Sequence, residues 1–199
     1  GDTITDYQQQ LVITFSEVLK LSLGNIKLRE KLNSEAIHDP LTGLFNRRYL
    51  DATLPRELQH IIRTQSKLCI AMLDIDNFKL INDAKGHEAG DETLRFLGKI
   101  LRENLHNGDI ACRYGGEEFI IVLIDTNIQT AEKRLQQLNQ IIKESHLYVQ
   151  NQLLPKITLS IGIVEAPTHG QEAEKLISLA DEALYRAKMA GRDRIEIVK

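Results

Sequence analysis

Two apolar runs, Ile110–Tyr114 and Phe119–Ile124, are separated only by Gly115-Gly116-Glu117-Glu118, and so short a separation directs the chain into an antiparallel β-hairpin. Glycine supplies the positive φ that a tight primed turn requires, so the Gly-Gly pair is read as the turn itself. The hairpin sets Glu117 at the exposed lip of a sheet, where a carboxylate beside a side-chain-free turn can meet a metal ion or a phosphate. Taken alone, the motif fits equally well a plain turn with a solvated charge. Its meaning depends on what faces it.

The surrounding elements follow from periodicity. Asn46–Arg63 reads as a helix that Pro55 bends or restarts. Leu68–Ile75 is a near-continuous apolar strand, Glu88–Asn104 an amphipathic helix, Asn127–Glu144 a helix and Ile157–Val164 a strand. Leu176–Met189 closes the series as a helix, with Arg194–Val198 as a last short strand. The order strand, helix, strand, strand, helix, strand predicts an α+β domain of the ferredoxin-like, split βαβ kind with flanking helices. In that arrangement the end of the first strand lies beside the central hairpin turn.

Upstream, Asp6–Ile37 contains no Pro and a single Gly, Gly24, and reads as one long helix. One heptad seam runs Leu11, Thr14, Val18, Leu21, Asn25, Leu28, Leu32 and Glu35. A second, one residue along, runs Val12, Phe15, Leu19, Ser22, Ile26, Arg29, Asn33 and Ala36. Such a helix either lays a wide apolar face on an upstream domain or forms a parallel coiled coil that shifts between the two seams. His38-Asp39-Pro40-Leu41-Thr42-Gly43-Leu44 breaks it. The expected organisation is a signalling helix over residues 1–38 and a globular domain over 39–199.

A length of 199 residues suits one ordinary domain plus such an appendage, and 42% hydrophobic with 27% charged residues is a globular composition. The formal charge of −3 offers no broad basic face. A long nucleic acid strand is therefore an unsuitable partner, whereas a small anion held by a metal and a few cations suits it. Cys69 and Cys112 lie inside apolar strand-like runs, the pattern of reduced, buried thiols in a cytoplasmic protein. No apolar run reaches the ~18 residues of a membrane span. The sequence starts within the helical pattern, so an upstream sensor is expected.

The first strand ends in Asp74-Ile75-Asp76-Asn77-Phe78-Lys79. Period-two spacing points Asp74 and Asp76 to one face if the strand persists, and in the split βαβ order Asp74 faces Glu117 across neighbouring strands. Converging carboxylates form an oxygen-rich site suited to Mg²⁺, which binds through one or two carboxylates plus substrate phosphates. Such a site performs phosphoryl or nucleotidyl transfer.

The stretches Asp39–Arg48, Asp74–Lys79, Asn82-Asp83, Gly86-His87, Gly90-Asp91-Glu92, Arg113–Phe119, Ser160-Ile161-Gly162 and Tyr185–Arg192 together resemble the GGDEF family of diguanylate cyclases over essentially the whole globular part. The resemblance implies a nucleotidyl-cyclase palm that joins two GTP molecules into cyclic di-GMP and releases two pyrophosphates. It implies two metal ions per site, Mg²⁺ or Mn²⁺, held by Asp74, Glu117 and the carbonyl of Ile75, with Glu117 also helping to deprotonate the attacking 3′-hydroxyl. Backbone amides around Phe78 and Lys79 would cradle phosphates, Gly116 would leave room for the nucleotide, and the Lys79 ammonium would offset transition-state charge. Asn82 and Asp91 would read guanine, an amide for the purine edge and a carboxylate for the ring N–H and exocyclic amine. Lys188 and Arg192 would reach the β- and γ-phosphates, and Asp39 would pair with Arg47 to shape the opening turn. His87 receives no role.

Each such domain holds one GTP, whereas the product contains two reciprocal bonds, so the resemblance implies a homodimer brought together by the N-terminal helix. The alternative is a catalytically silent domain that binds GTP or cyclic di-GMP. The family's inhibitory Arg-x-x-Asp is represented here by His106-Asn107-Gly108-Asp109. Histidine lacks the bidentate guanidinium fork, so weak product inhibition through that site is expected.

Overall fold

The computed structural model describes residues 14–25, 28, 36–150 and 152–198. The chain divides into two compact units between Ile37 and His38. The first is helical over residues 14–25, here α1, and Phe15, Val18 and Leu21 stand exposed on it. The seam positions Leu11, Val12, Ile26, Arg29, Leu32, Asn33 and Glu35 lie outside the described residues.

The second unit runs β1 (Phe45–Asn46), α2 (Arg47–Thr64), β2 (Leu68–Ile75), α3 (Phe78–Lys85), α4 (His87–Asn104), β3 (Ile110–Arg113), β4 (Glu118–Leu123) and α5 (Ile128–Glu144). It continues with β5 (Tyr148–Val149), β6 (Gln152–Leu153), β7 (Leu159–Ala166), α6 (Ala173–Met189) and β8 (Ile195–Ile197). A mixed sheet forms in the order β1-β3-β4-β2-β7-β8, and β5 and β6 make a separate small hairpin. Its antiparallel centre, β3-β4-β2-β7, is the split βαβ arrangement expected from the sequence.

Strand β2 is buried on both faces because helices cover both. Cys69, Ala71, Leu73 and Ile75 join the core under α4 and α5, while Ile70 and Met72 join the core under α2 and α6. Helix α6 lies so close on β7 that a Cβ on Gly162 would sit 2.1 Å from the Ala180 carbonyl oxygen. That approach seats the middle of α6 directly on the sheet. Burial pushes the Cys69 and Cys112 thiols up to about 12, so both are protonated at neutral pH.

Several expectations are corrected. Neither Gly115 nor Gly116 has left-handed φ. Residues 114–117 form an open four-residue connection closed by Tyr114 N–H and Gly115 N–H on the Glu118 carbonyl, not a tight primed turn. A Cβ on Gly115 would meet Glu118 Oε2 at 2.5 Å, so there glycine supplies space. Helix α2 runs through Pro55 as one element. The last long strand is shifted to Leu159–Ala166, because Glu165 and Ala166 pair with Cys69 and Leu68. Helix α3, a short element with four polar residues among its eight, was not expected.

Candidate active site

Asp74 stands at the end of β2, is 5% exposed, and lies between Glu118 on β4 and Ser160 on β7. Its register partner is thus Glu118, one residue beyond the expected Glu117. Glu117 is nevertheless adjacent: its carbonyl accepts from Ile75 N–H at 3.4 Å, and its carboxylate is half-buried. From the end of α6, Lys188 Nζ reaches Asp74 Oδ2 at 2.8 Å.

The electrostatics follow from this crowding. Burial raises the Asp74 carboxyl above its ordinary range, and Asp76 adds to the effect, while Lys188 and Arg192 offset part of it. Burial likewise raises Glu117, reinforced by Asp74 and Glu118 and opposed by Lys188. Two carboxyls held above their ordinary values at one sheet end form a place where added positive charge is favoured. Among the described residues no group of three or more His, Cys, Asp or Glu side chains is arranged as a metal cage. Two carboxylates beside the Ile75 backbone instead match the sparse protein ligation typical of Mg²⁺ with a phosphate substrate.

Asn77, with φ of 57°, turns the chain from β2 into α3. Phe78 anchors the start of α3 in the core, and Lys79 beside it is exposed. Asn82 lies against Gly90, the residue before Asp91, where α3 packs on α4. A Cβ on Gly90 would overlap Asn82 Oδ1, so Gly90 opens the place for the amide. Asp91 is exposed within α4, which begins at His87 after the Gly86 cap; it does not cap the helix.

One sequence expectation fails by geometry. Asp39 pairs with Arg113 at 3.2 Å, whereas Arg47 pairs with Asp51 at 3.8 Å and lies 4.4 Å over the Tyr114 ring. Arg113 also donates to the Gly116 carbonyl through Nε at 3.2 Å and Nη2 at 2.7 Å, so it ties the Asp39 turn to the hairpin loop. Asp76 lies one residue past the end of β2, yet its side chain meets Ser160, the register partner of Asp74, and so stays on the Asp74 side as the period-two spacing predicts. Its carboxylate is bound to Thr158, Ser160 and the backbone of Asp193.

The family profile described as diguanylate cyclase, GGDEF domain, matches residues 36–194. Diguanylate cyclase DosC of Escherichia coli (strain K12) is 37% identical over 194 residues, covering 96% of this chain and 41% of that protein. Diguanylate cyclase DgcP of Pseudomonas aeruginosa is 41% identical over 169 residues, covering 84% of this chain and 25% of that protein. The chain therefore spans less than half the length of these curated relatives. Among solved structures, the coiled coil and GGDEF domain of DgcB from Caulobacter crescentus, in complex with c-di-GMP, matches with a TM-score of 0.82 at 28% identity, covering 97% of this chain and 100% of that one. The active GGEEF domain of a diguanylate cyclase from Vibrio cholerae matches with a TM-score of 0.71 at 37% identity, covering 77% and 97%.

Proposed function

This chain belongs to the GGDEF diguanylate cyclase family, and from that premise we propose that it condenses two GTP molecules into cyclic di-GMP and two pyrophosphates as one half of a homodimer. The observation that carries the reading is the meeting of Asp74, Glu117 and Lys188 at one end of the sheet, directly before the turn into α3.

Asp74, Glu117 and the Ile75 carbonyl would hold two divalent ions, Mg²⁺ or Mn²⁺. When bound, such ions neutralise triphosphate charge and lower the pKa of an attacking hydroxyl. Glu117, whose carboxyl already lies above its ordinary value, is suited to take the 3′-hydroxyl proton. The amides of Phe78 and Lys79 open α3 toward the phosphates, the Lys79 ammonium offsets charge on the transferring group, and Gly116 leaves the nucleotide room. Lys188 and Arg192 extend the cationic side toward the β- and γ-phosphates; Lys188 would exchange its carboxylate partner for phosphate. Asn82 and Asp91 read the guanine edge, a donor and acceptor set that rejects adenine.

The second GTP arrives on a second copy. The exposed apolar residues of α1 suit a coiled coil that raises the local concentration of that copy to the mM range. The coiled coil named for DgcB supports the same arrangement. The greater length of DosC supports an upstream sensor. No helix among the described residues is long and apolar enough to cross a membrane. Asp109, whose side chain is 3% exposed, is committed to Arg134, His106 N–H and Ile124 N–H, which supports weak product inhibition through that stretch. Initial rates that collapse on added cyclic di-GMP and recover in Asp109→Ala would refute this.

The test is to incubate the protein with GTP and Mg²⁺ over a range of protein concentrations and identify the product by mass. Cyclic di-GMP should form with a steep dependence on protein concentration and be lost in Glu117→Gln. Turnover of GTP to another product, or none at any concentration, would overturn the reading.

A further inference from the structure

Asp76 is a buried carboxylate, 7% exposed, to which the proposed reaction gives no task. Its three hydrogen-bond donors are all neutral: Thr158 Oγ1 at 2.7 Å, Ser160 Oγ at 2.6 Å and the backbone N–H of Asp193 at 3.0 Å. The first two fix the carboxylate to the start of β7. The third reaches across to the turn that follows α6, more than a hundred residues away in sequence.

That turn is unusual in itself. Gly191, Arg192 and Asp193 have successive φ values of +111°, +63° and +50°. For residues with a Cβ this left-handed backbone is disfavoured, and it persists where the surroundings over-determine it. Here they do so from two sides. Asp76 holds the Asp193 amide, while from α5 Lys143 Nζ pairs with Asp193 Oδ1 at 2.6 Å and Asn139 Nδ2 approaches the same oxygen at 3.5 Å. Arg192 N–H closes the turn on the Ala187 carbonyl at 3.0 Å. The residue presented by this braced turn is Arg192, four positions after the Lys188 that contacts Asp74.

We infer that Asp76 is a positioning residue for Arg192: by tying the 191–193 turn to the end of β2, it holds the guanidinium on the phosphate side of the site. The inference rests on Arg192 being a phosphate ligand, as proposed above. Asp76 thus serves binding through a second residue without touching the nucleotide. Asp76→Asn keeps the side chain's size but replaces an acceptor oxygen with a donor that opposes the groups now donating to it.

The experiment measures binding of 3′-deoxyguanosine triphosphate, which cannot cyclise, and of guanosine, which has no phosphates, to the intact chain carrying Asp76→Asn, Arg192→Ala or both. Asp76→Asn should weaken the triphosphate about tenfold, leave guanosine unchanged, raise the KM for GTP more than it lowers kcat, and add nothing in the Arg192→Ala background. Equal loss for guanosine and triphosphate, full additivity with Arg192→Ala, or unchanged triphosphate binding would overturn it while Arg192 stands as a ligand. If Arg192→Ala itself leaves the triphosphate unaffected, the phosphate role fails first and the inference falls with it. Should Asp76→Asn not fold, the surface variant Lys143→Met decides: a loss of about threefold, confined to the triphosphate, supports the brace, and no change overturns it.

Discussion

The ladder of β2 and β7 carries a buried carboxylate near each end, and the two are held in opposite ways. Glu165, opposite Cys69, accepts from Lys67 Nζ at 2.7 Å, Ile128 N–H at 2.7 Å and Thr168 Oγ1. Burial alone would raise its carboxyl, but these donors outweigh it and hold the group below its ordinary value. At the other end Asp74, opposite Ser160, is paired with Lys188, feels a smaller offset from Arg192 and has a second acid beside it, and its carboxyl lies above its ordinary value. The same scaffold thus surrounds Glu165 with donors and gives few to Asp74, which is the pattern expected if Asp74 is the metal ligand we propose.

The largest expected difference is in activity. Asp74→Asn should lower cyclic di-GMP formation by at least about a hundredfold while the fold persists, as read by product mass and thermal melting side by side. Glu165→Ala should do the reverse. It strands Lys67 and the Ile128 amide, at a cost of about 2–4 kcal/mol, and should lower Tm by roughly 5–15 °C with activity per folded molecule retained at low temperature. If Glu165→Ala abolished catalysis with an unchanged Tm, the division between the two ends would be wrong.

The sequence revealed the two ends unequally, and for physical reasons. Asp74 and Glu117 were legible because strand period and hairpin order are local signals, and the split βαβ topology joins them. The quoted motifs carried Lys188, Arg192, Asn82 and Asp91. Glu165 was not legible at all, since a single acid beyond the expected end of a strand looks solvated until Lys67 and Ile128, both distant in sequence, close on it. Asp76 was legible as a neighbour of Asp74 from the period-two spacing, but its hold on the Asp193 amide, 117 residues away, was not. The Asp39 partner was missed likewise: Arg113 is 74 residues away, whereas Arg47 was merely nearby in sequence. Glu165 and the Asp39 partner were both missed on contacts between distant segments, which local pattern does not encode.

The smallest effect gives the sharpest discrimination, because it depends on sign. A carboxyl raised above its ordinary value costs stability when ionised; that cost is complete above the folded pKa, is relieved as pH falls through it, and is gone below the ordinary value, 3.8 for Asp74. In metal-free buffer Asp74→Asn should therefore melt about 1–3 °C above the parent at pH 7, and the gap should close as pH is lowered toward that value. Glu165 is depressed below its ordinary 4.5, so its contribution is fully present above 4.5 and disappears only as pH falls through the lower folded pKa. As pH falls from neutral toward 3.8, then, the Asp74→Asn gain should shrink, whereas the Glu165→Ala deficit should stay constant at least down to 4.5. Melting curves of the three proteins across that range separate the two behaviours. An Asp74→Asn gain that did not vary with pH would mean the asparagine stabilises by packing rather than by relieving charge, and the contrast between the two ends would lose its electrostatic basis.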